Sequence, residues 1–241
     1  MAAVLISGPV AIIAPQSASA AFCGNCYGTA FWYGNVNGAD ARIKMDDLLS
    51  ATSSNTNYHV GNTLWVTDTD IGSQTCFTGG IYAHTGWVEI GYEARANTYI
   101  FYTADCRPNG SFARWPLASV QVTDYDAANY FEIFNSGYNQ WYVSVTADSG
   151  LYDQNWYSNS IQPNMIEIGI EAAGSSLHAD RANFTNNRYI QGPNRYYQFG
   201  HDSQNTTLLG NPGSGNPPRS RWVTTPAPGN NGGNWTTSCA C

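Results

Sequence analysis

Five glutamates occur in the chain, Glu89, Glu93, Glu132, Glu167 and Glu171, and all but Glu132 fall in two near-copies of one pattern. The copies are Val88-Glu89-Ile90-Gly91-Tyr92-Glu93-Ala94 and Ile166-Glu167-Ile168-Gly169-Ile170-Glu171-Ala172. Strict alternation makes each a strand. Val88, Ile90, Tyr92 and Ile166, Ile168, Ile170 turn to a core, whereas the glutamates, Gly91, Gly169 and Trp87 turn away from it. If the two strands are antiparallel neighbours with Gly91 opposite Gly169, Glu89 faces Glu171 and Glu93 faces Glu167, with Cβ atoms about 4.5–5.5 Å apart. Two carboxyls that close share one proton. The ionised member can then activate water while the protonated member polarises a carbonyl or protonates a leaving group. Opposed like charges and a glycine inside a strand both weaken a sheet, and such weaknesses concentrate at functional sites. Either opposed pair, Glu89 with Glu171 or Glu93 with Glu167, is a candidate for this chemistry, the other then tuning it, and Gly91, Gly169 and Trp87 are candidates for lining a substrate groove. A solvated acidic face or a calcium-binding carboxylate patch would use the same residue types.

The elements that must hold these groups are short and β-rich. Alternation and β-branched or aromatic enrichment mark strands at Tyr27–Tyr33, Ala41–Met45, Thr63–Thr67, Gly86–Glu93, Thr98–Ala104, Ser119–Thr123, Asn129–Phe134, Trp141–Thr146, Met165–Ala172 and Arg195–Phe199. Turn clusters such as Gly34-Asn-Val-Asn-Gly38 and Pro108-Asn-Gly110 separate them. Many short strands at regular spacing predict an all-β protein, an antiparallel, jelly-roll-like β-sandwich. Met45–Leu49 could form one helical turn.

Residues 1–20 run from an apolar stretch, Ala2–Ala14, to Ala18-Ser19-Ala20, the pattern of a cleaved export signal. The sandwich is then expected over 21–200 and a Gly/Pro/Asn-rich extension over 201–241, pinned by its terminal Cys-Ala-Cys. An exported chain with an even cysteine count reads as disulfide-bonded. Cys76–Cys106 is one expected bridge, and Cys23 and Cys26 are expected to cross-pair with Cys239 and Cys241. A zinc site from those four is disfavoured, because no histidine stands at ligand spacing. No metal or cofactor is expected.

Composition narrows the partners. Only 11% of residues are charged and the net charge is −7, which argues against a nucleic-acid-binding face. No apolar run after the N-terminus is long enough to span a membrane. A secreted monomer is the expectation. His59, His84, His178 and His201 form no catalytic or metal pattern, no Gly-x-Ser-x-Gly occurs, and Arg95 and Arg181 read as solvated.

The order of motifs resembles that of the neprosin family of secreted glutamic peptidases. The matching pieces are Tyr27-Gly-Thr-Ala-Phe-Trp-Tyr33, Asn62-Thr-Leu-Trp-Val-Thr-Asp68, Val88-Glu-Ile-Gly-Tyr92 and Tyr99-Ile-Phe-Tyr-Thr-Ala-Asp105, then Tyr130-Phe-Glu-Ile133, Gln140-Trp-Tyr-Val143 and Met165-Ile-Glu-Ile-Gly-Ile-Glu171. The resemblance spans roughly residues 25–200. It implies a β-sandwich that hydrolyses polypeptides at acidic pH, with Glu89 and Glu171 as the dyad and a preference for cleavage after proline. Glu93 and Glu167 depart from the amides expected beside the family's dyad. The body is also expected to follow the export segment directly, without an inhibitory domain. These departures leave the proline preference open. The alternatives are a jelly-roll glycosidase or lyase, in which Gly91 and Gly169 replace the middle acid of the usual strand motif, and a non-catalytic sandwich that binds glycans or cell wall.

Overall fold

The computed structural model describes residues 23–44, 59–72, 76, 85–95, 98–117, 128–147, 150–174, 182–193, 195–199, 206–210, 222–226 and 234–239. The expected export segment, the helical turn at Met45–Leu49, the strand at Ser119–Thr123 and Arg181 lie outside them. So do the side chains of Arg95, Cys23, Cys26 and Cys239, and all of Cys241.

The described chain consists of strands: β1 (Cys23–Tyr33), β2 (Gly38–Lys44), β3 (His59–Asp68), β4 (Gly86–Arg95), β5 (Thr98–Cys106), β6 (Phe112–Pro116), β7 (Ala128–Gly137), β8 (Gln140–Ala147), β9 (Gly150–Ser158), β10 (Met165–Gly174), β11 (Ala182–Ile190), β12 (Tyr196–Gln198), β13 (Thr206–Gly210), β14 (Trp222–Pro226) and β15 (Trp235–Cys239). They form two antiparallel sheets. The seven-stranded sheet runs β13-β1-β10-β3-β4-β5-β6 and the eight-stranded sheet β14-β15-β11-β2-β7-β8-β9, with β12 paired to β11. This is the expected β-sandwich.

The sequence-marked strands recover β1 to β5, β7, β8, β10 and β12. β9 and β11 went unmarked because they are rich in Asn, Asp and Gln, which strands avoid on propensity alone; cross-strand pairing supplies what propensity withholds. The described parts of the C-terminal residues are also strands. β13 pairs with β1, and β15 with β11.

The alternation works as read. Val88, Ile90, Tyr92, Ile166, Ile168 and Ile170 enter the core between the sheets, where they meet Phe131, Ile133, Trp141 and Val143 from the other layer. Trp32 stacks on Tyr189 with ring centroids 4.1 Å apart. The β7–β8 hairpin turns on Tyr138 and Asn139, both at positive φ, the mirror-image turn that suits the twist of paired strands. Cys76 and Cys106 are bonded, as expected.

One feature exceeds the pattern. In β3, β4 and β10, residues 61–67, 86–93 and 165–170 are all buried, so the middle of the seven-stranded sheet is covered on both faces. A strand buried on both faces normally reads as a continuous apolar run. Here the face away from the core carries Glu, Thr and Gly instead.

Candidate active site

β3 lies between β4 and β10, and this corrects the arrangement expected from the sequence. The two glutamate strands are not neighbours, and Gly91 does not face Gly169. Each outward residue of β3 stands between one from β10 and one from β4. Glu167, Trp65 and Glu89 form one row; Gly169, Thr63 and Gly91 the next; Glu171, Gly61 and Glu93 the third. Glu89 and Glu171 are therefore separated by two inter-strand spacings and four residues along the strand, about 16 Å between Cα atoms. At that spacing they are not the directly opposed pair that the sequence suggests. Glu89 and Glu167 stand on one row, about 10 Å apart between Cα atoms, with Trp65 between them.

Gly91 also serves a different end from the ligand floor expected of it. A Cβ there would lie 2.4 Å from Thr63 Cγ2 and 2.5 Å from the Asn62 carbonyl oxygen. The neighbouring strand already occupies the space.

All three described glutamates of this face are buried: Glu89 is 7% exposed, Glu93 and Glu167 0%. Burying a carboxyl is unfavourable unless polar partners compensate. Tyr102, opposite Gly91 on β5, donates its phenol hydrogen to Glu89 Oε1. From the core side, Thr103 Oγ1 donates to the Glu89 backbone oxygen at 2.7 Å and meets the Tyr157 hydroxyl at 2.9 Å. Burial pushes the Tyr157 phenol well above its ordinary range, with Asp105 and Glu89 adding to the rise, so it remains protonated.

Arg114 of β6 completes the cluster. It shares a row with Glu89 across the small Ala104. Its guanidinium lies 3.9 Å from the centre of the Tyr102 ring and forms an ion pair with Glu93. Burial alone would lower the pKa of Arg114, but Tyr102, Glu93 and Glu89 together raise it, so the cation is secure. Sequence reasoning did not place Tyr102 or Arg114 in the site. The available signal was the alternating Phe112-Ala-Arg-Trp115 after the Pro108-Asn-Gly turn, which marks a strand but not its neighbours.

On the other side of the row, Glu167 pairs across β1 with Phe31. Burial raises the pKa of nearby Tyr33, and the charge of Glu167 raises it further. Trp65 and Trp87 form an apolar cluster with Cys106, and Ile71 and Cys76 pack on it. The disulfide thus borders the acid face next to Trp87. At the ends of this region Tyr33 and Phe112 are each 46% exposed. Among the described residues no group of His, Cys, Asp and Glu could hold a metal ion.

No family model matches the sequence, and no curated protein matches it. Solved structures do match in fold. Scytalido-glutamic peptidase with a peptide-based transition state analog superposes with a TM-score of 0.60 at 10% identity, over 90% of this chain and 98% of that one. The same peptidase with a transition state analog inhibitor gives 0.61 at 9% identity, with the same coverage. SCP-B, a member of the eqolisin family of peptidases in complex with the tripeptide Ala-Ile-His, gives 0.58 at 10% identity over 90% and 98%. At such identities the likeness is one of fold: the chain has the β-sandwich of the glutamic peptidases. It does not single out the neprosin family.

Proposed function

We propose that the protein is an endopeptidase that hydrolyses polypeptides at acidic pH, with Glu89 and Glu167 as its dyad. The observation that carries this is the row Glu89–Trp65–Glu167, two buried carboxyls held across one strand in a sheet covered on both faces. No requirement of folding places acids there. Peptide-bond hydrolysis by a carboxyl dyad uses one ionised and one protonated carboxyl. The first takes a proton from water as the water oxygen bonds to the carbonyl carbon. The second polarises the carbonyl, then gives its proton to the amide nitrogen as the C–N bond breaks. The fold shared with peptidases solved with peptide-like inhibitors and with a tripeptide supports a polypeptide substrate. The neprosin-like order of motifs points to the same chemistry. Export is part of the proposal, resting on the Ala2–Ala20 pattern and the Cys76–Cys106 bridge.

The test is cleavage of casein by the purified chain at acidic pH, beside a panel of glucans. Glu89→Gln and Glu167→Gln should each lower cleavage about a thousandfold, with the circular dichroism spectrum unchanged. Full cleavage by either variant would end this assignment. A loss in Glu171→Gln, with Glu167→Gln still active, would return the second role to Glu171. Hydrolysis of a glucan instead of casein would overturn the peptidase reading.

A further inference from the structure

Two carboxyls that share a proton need something to decide which of them holds it. The surroundings of Glu89 are built to do so. Tyr102 donates its phenol hydrogen to it, and a donor favours the ionised carboxylate. The Arg114 guanidinium against the Tyr102 ring polarises the phenol and places a positive charge next to the same carboxyl. The attraction between Arg114 and Glu89 that helps keep the cation charged acts equally on the carboxylate.

We infer that Arg114 and Tyr102 are positioning residues that hold Glu89 as the ionised member of the dyad, so that the shared proton resides on Glu167; this rests on the dyad reading above. Tyr102 of β5 donates to Glu89, Arg114 of β6 and, from the core side, Tyr157 of β9 interact with its charge, and Glu93 lies four residues along the same face of β4 beside Arg114. Glu167 is paired in register with Phe31 and Trp65, and its charge acts on nearby Tyr33. Arg114 also forms an ion pair with Glu93, which offsets the pull of that extra carboxylate on the proton of Glu89. Glu89 is then the base that takes the proton of water, and Glu167 the acid that protonates the leaving nitrogen. After bond cleavage Glu89 carries a proton and Glu167 has lost one, and the same field drives the proton back for the next turnover.

The experiment is a nuclear magnetic resonance pH titration of the full chain labelled with 13C at the glutamate carboxyls. Five glutamates keep the spectrum assignable, with Glu89→Gln and Glu167→Gln identifying the two signals. Glu89 should ionise at lower pH than Glu167. Arg114→Met and Tyr102→Phe should each move the Glu89 step up by about one pH unit and leave the Glu167 step in place. Arg114→Lys should restore most of the shift. In casein cleavage the acid limb of the rate profile should move by the same amount while the alkaline limb stays. Ionisation of Glu167 first, or a Glu89 step that neither substitution moves, would overturn the inference. Tyr102→Phe keeps the ring and serves if Arg114→Met does not fold. The titration reads the proton without turnover. Absence of cleavage would therefore count against the peptidase reading, and an unmoved Glu89 step against this one.

Discussion

At the scale of single residues, Gly91 shows how closely the site depends on backbone approach. It faces Thr63 on one side and Tyr102 on the other, in the row beside Glu89. Any side chain there meets Thr63 Cγ2 at 2.4 Å, the Asn62 carbonyl oxygen at 2.5 Å and Thr63 Cα at 3.0 Å. Two of these are backbone atoms, which cannot rotate away. Gly91→Ala is expected to destabilise the protein by about 2–3 kcal/mol, measured by chemical denaturation, because β3 and β4 must part to admit the methyl group. A loss under about 0.5 kcal/mol would show that the strands separate easily and that Gly91 is not what holds their spacing. Of the candidate site, the glutamates stand out in the sequence because they are few and repeat one pattern. The use of Gly91 was not, because a sequence marks where a side chain is missing and not what fills the space. Arg114 and Tyr102 were equally hidden, since their approach to Glu89 depends on β5 and β6 pairing beyond β4.

At the scale of elements, alternation states which face a residue occupies but not which strand lies next to it. That is why the inward faces of β4 and β10 were read correctly and their adjacency was not. Directly opposed carboxyls do occur, but on the other sheet: Asp40 of β2 faces Glu132 of β7. Arg188 donates through Nε to Asp40 Oδ1 at 2.8 Å and lies over the Tyr196 ring, whose hydroxyl donates to Glu132 Oε1 at 3.3 Å. Burial raises both carboxyls above their ordinary values, and the charge of Asp40 adds to the rise at Glu132. Glu132→Gln removes the opposing charge and keeps an acceptor for Tyr196. It is expected to stabilise the protein at neutral pH by about 0.5–1 kcal/mol in urea denaturation. The gain should vanish in acid, where the native Glu132 is protonated and no longer repels Asp40. A variant less stable than the parent at neutral pH would mean that Arg188 draws on both carboxylates and that the pair is attractive as a unit.

At the scale of the whole molecule, the buried carboxyls set how stability responds to pH. Asp40, Asp105 and Glu132 are all held above their ordinary values, with burial as the leading cause in each case. Asp105 is fully buried beside Asn159, and Arg107 and Asn159 pull it the other way without overcoming burial. In the unfolded chain these groups titrate near 3.8 for the aspartates and 4.5 for the glutamate. Between those values and the raised folded ones, the folded protein binds more protons than the unfolded chain. Stability therefore falls as pH rises through that window. The contribution is fully present below the unfolded values and is lost once pH passes the folded ones. The urea midpoint should accordingly be higher at about pH 5 than at about pH 7. Replacing Glu132 by Gln should flatten part of that difference. A midpoint that drops steadily between about pH 7 and about pH 5 would show that carboxylates held in their charged form outweigh these three. The expected direction also suits the proposed chemistry: hydrolysis at acidic pH would run where the sandwich is held more firmly.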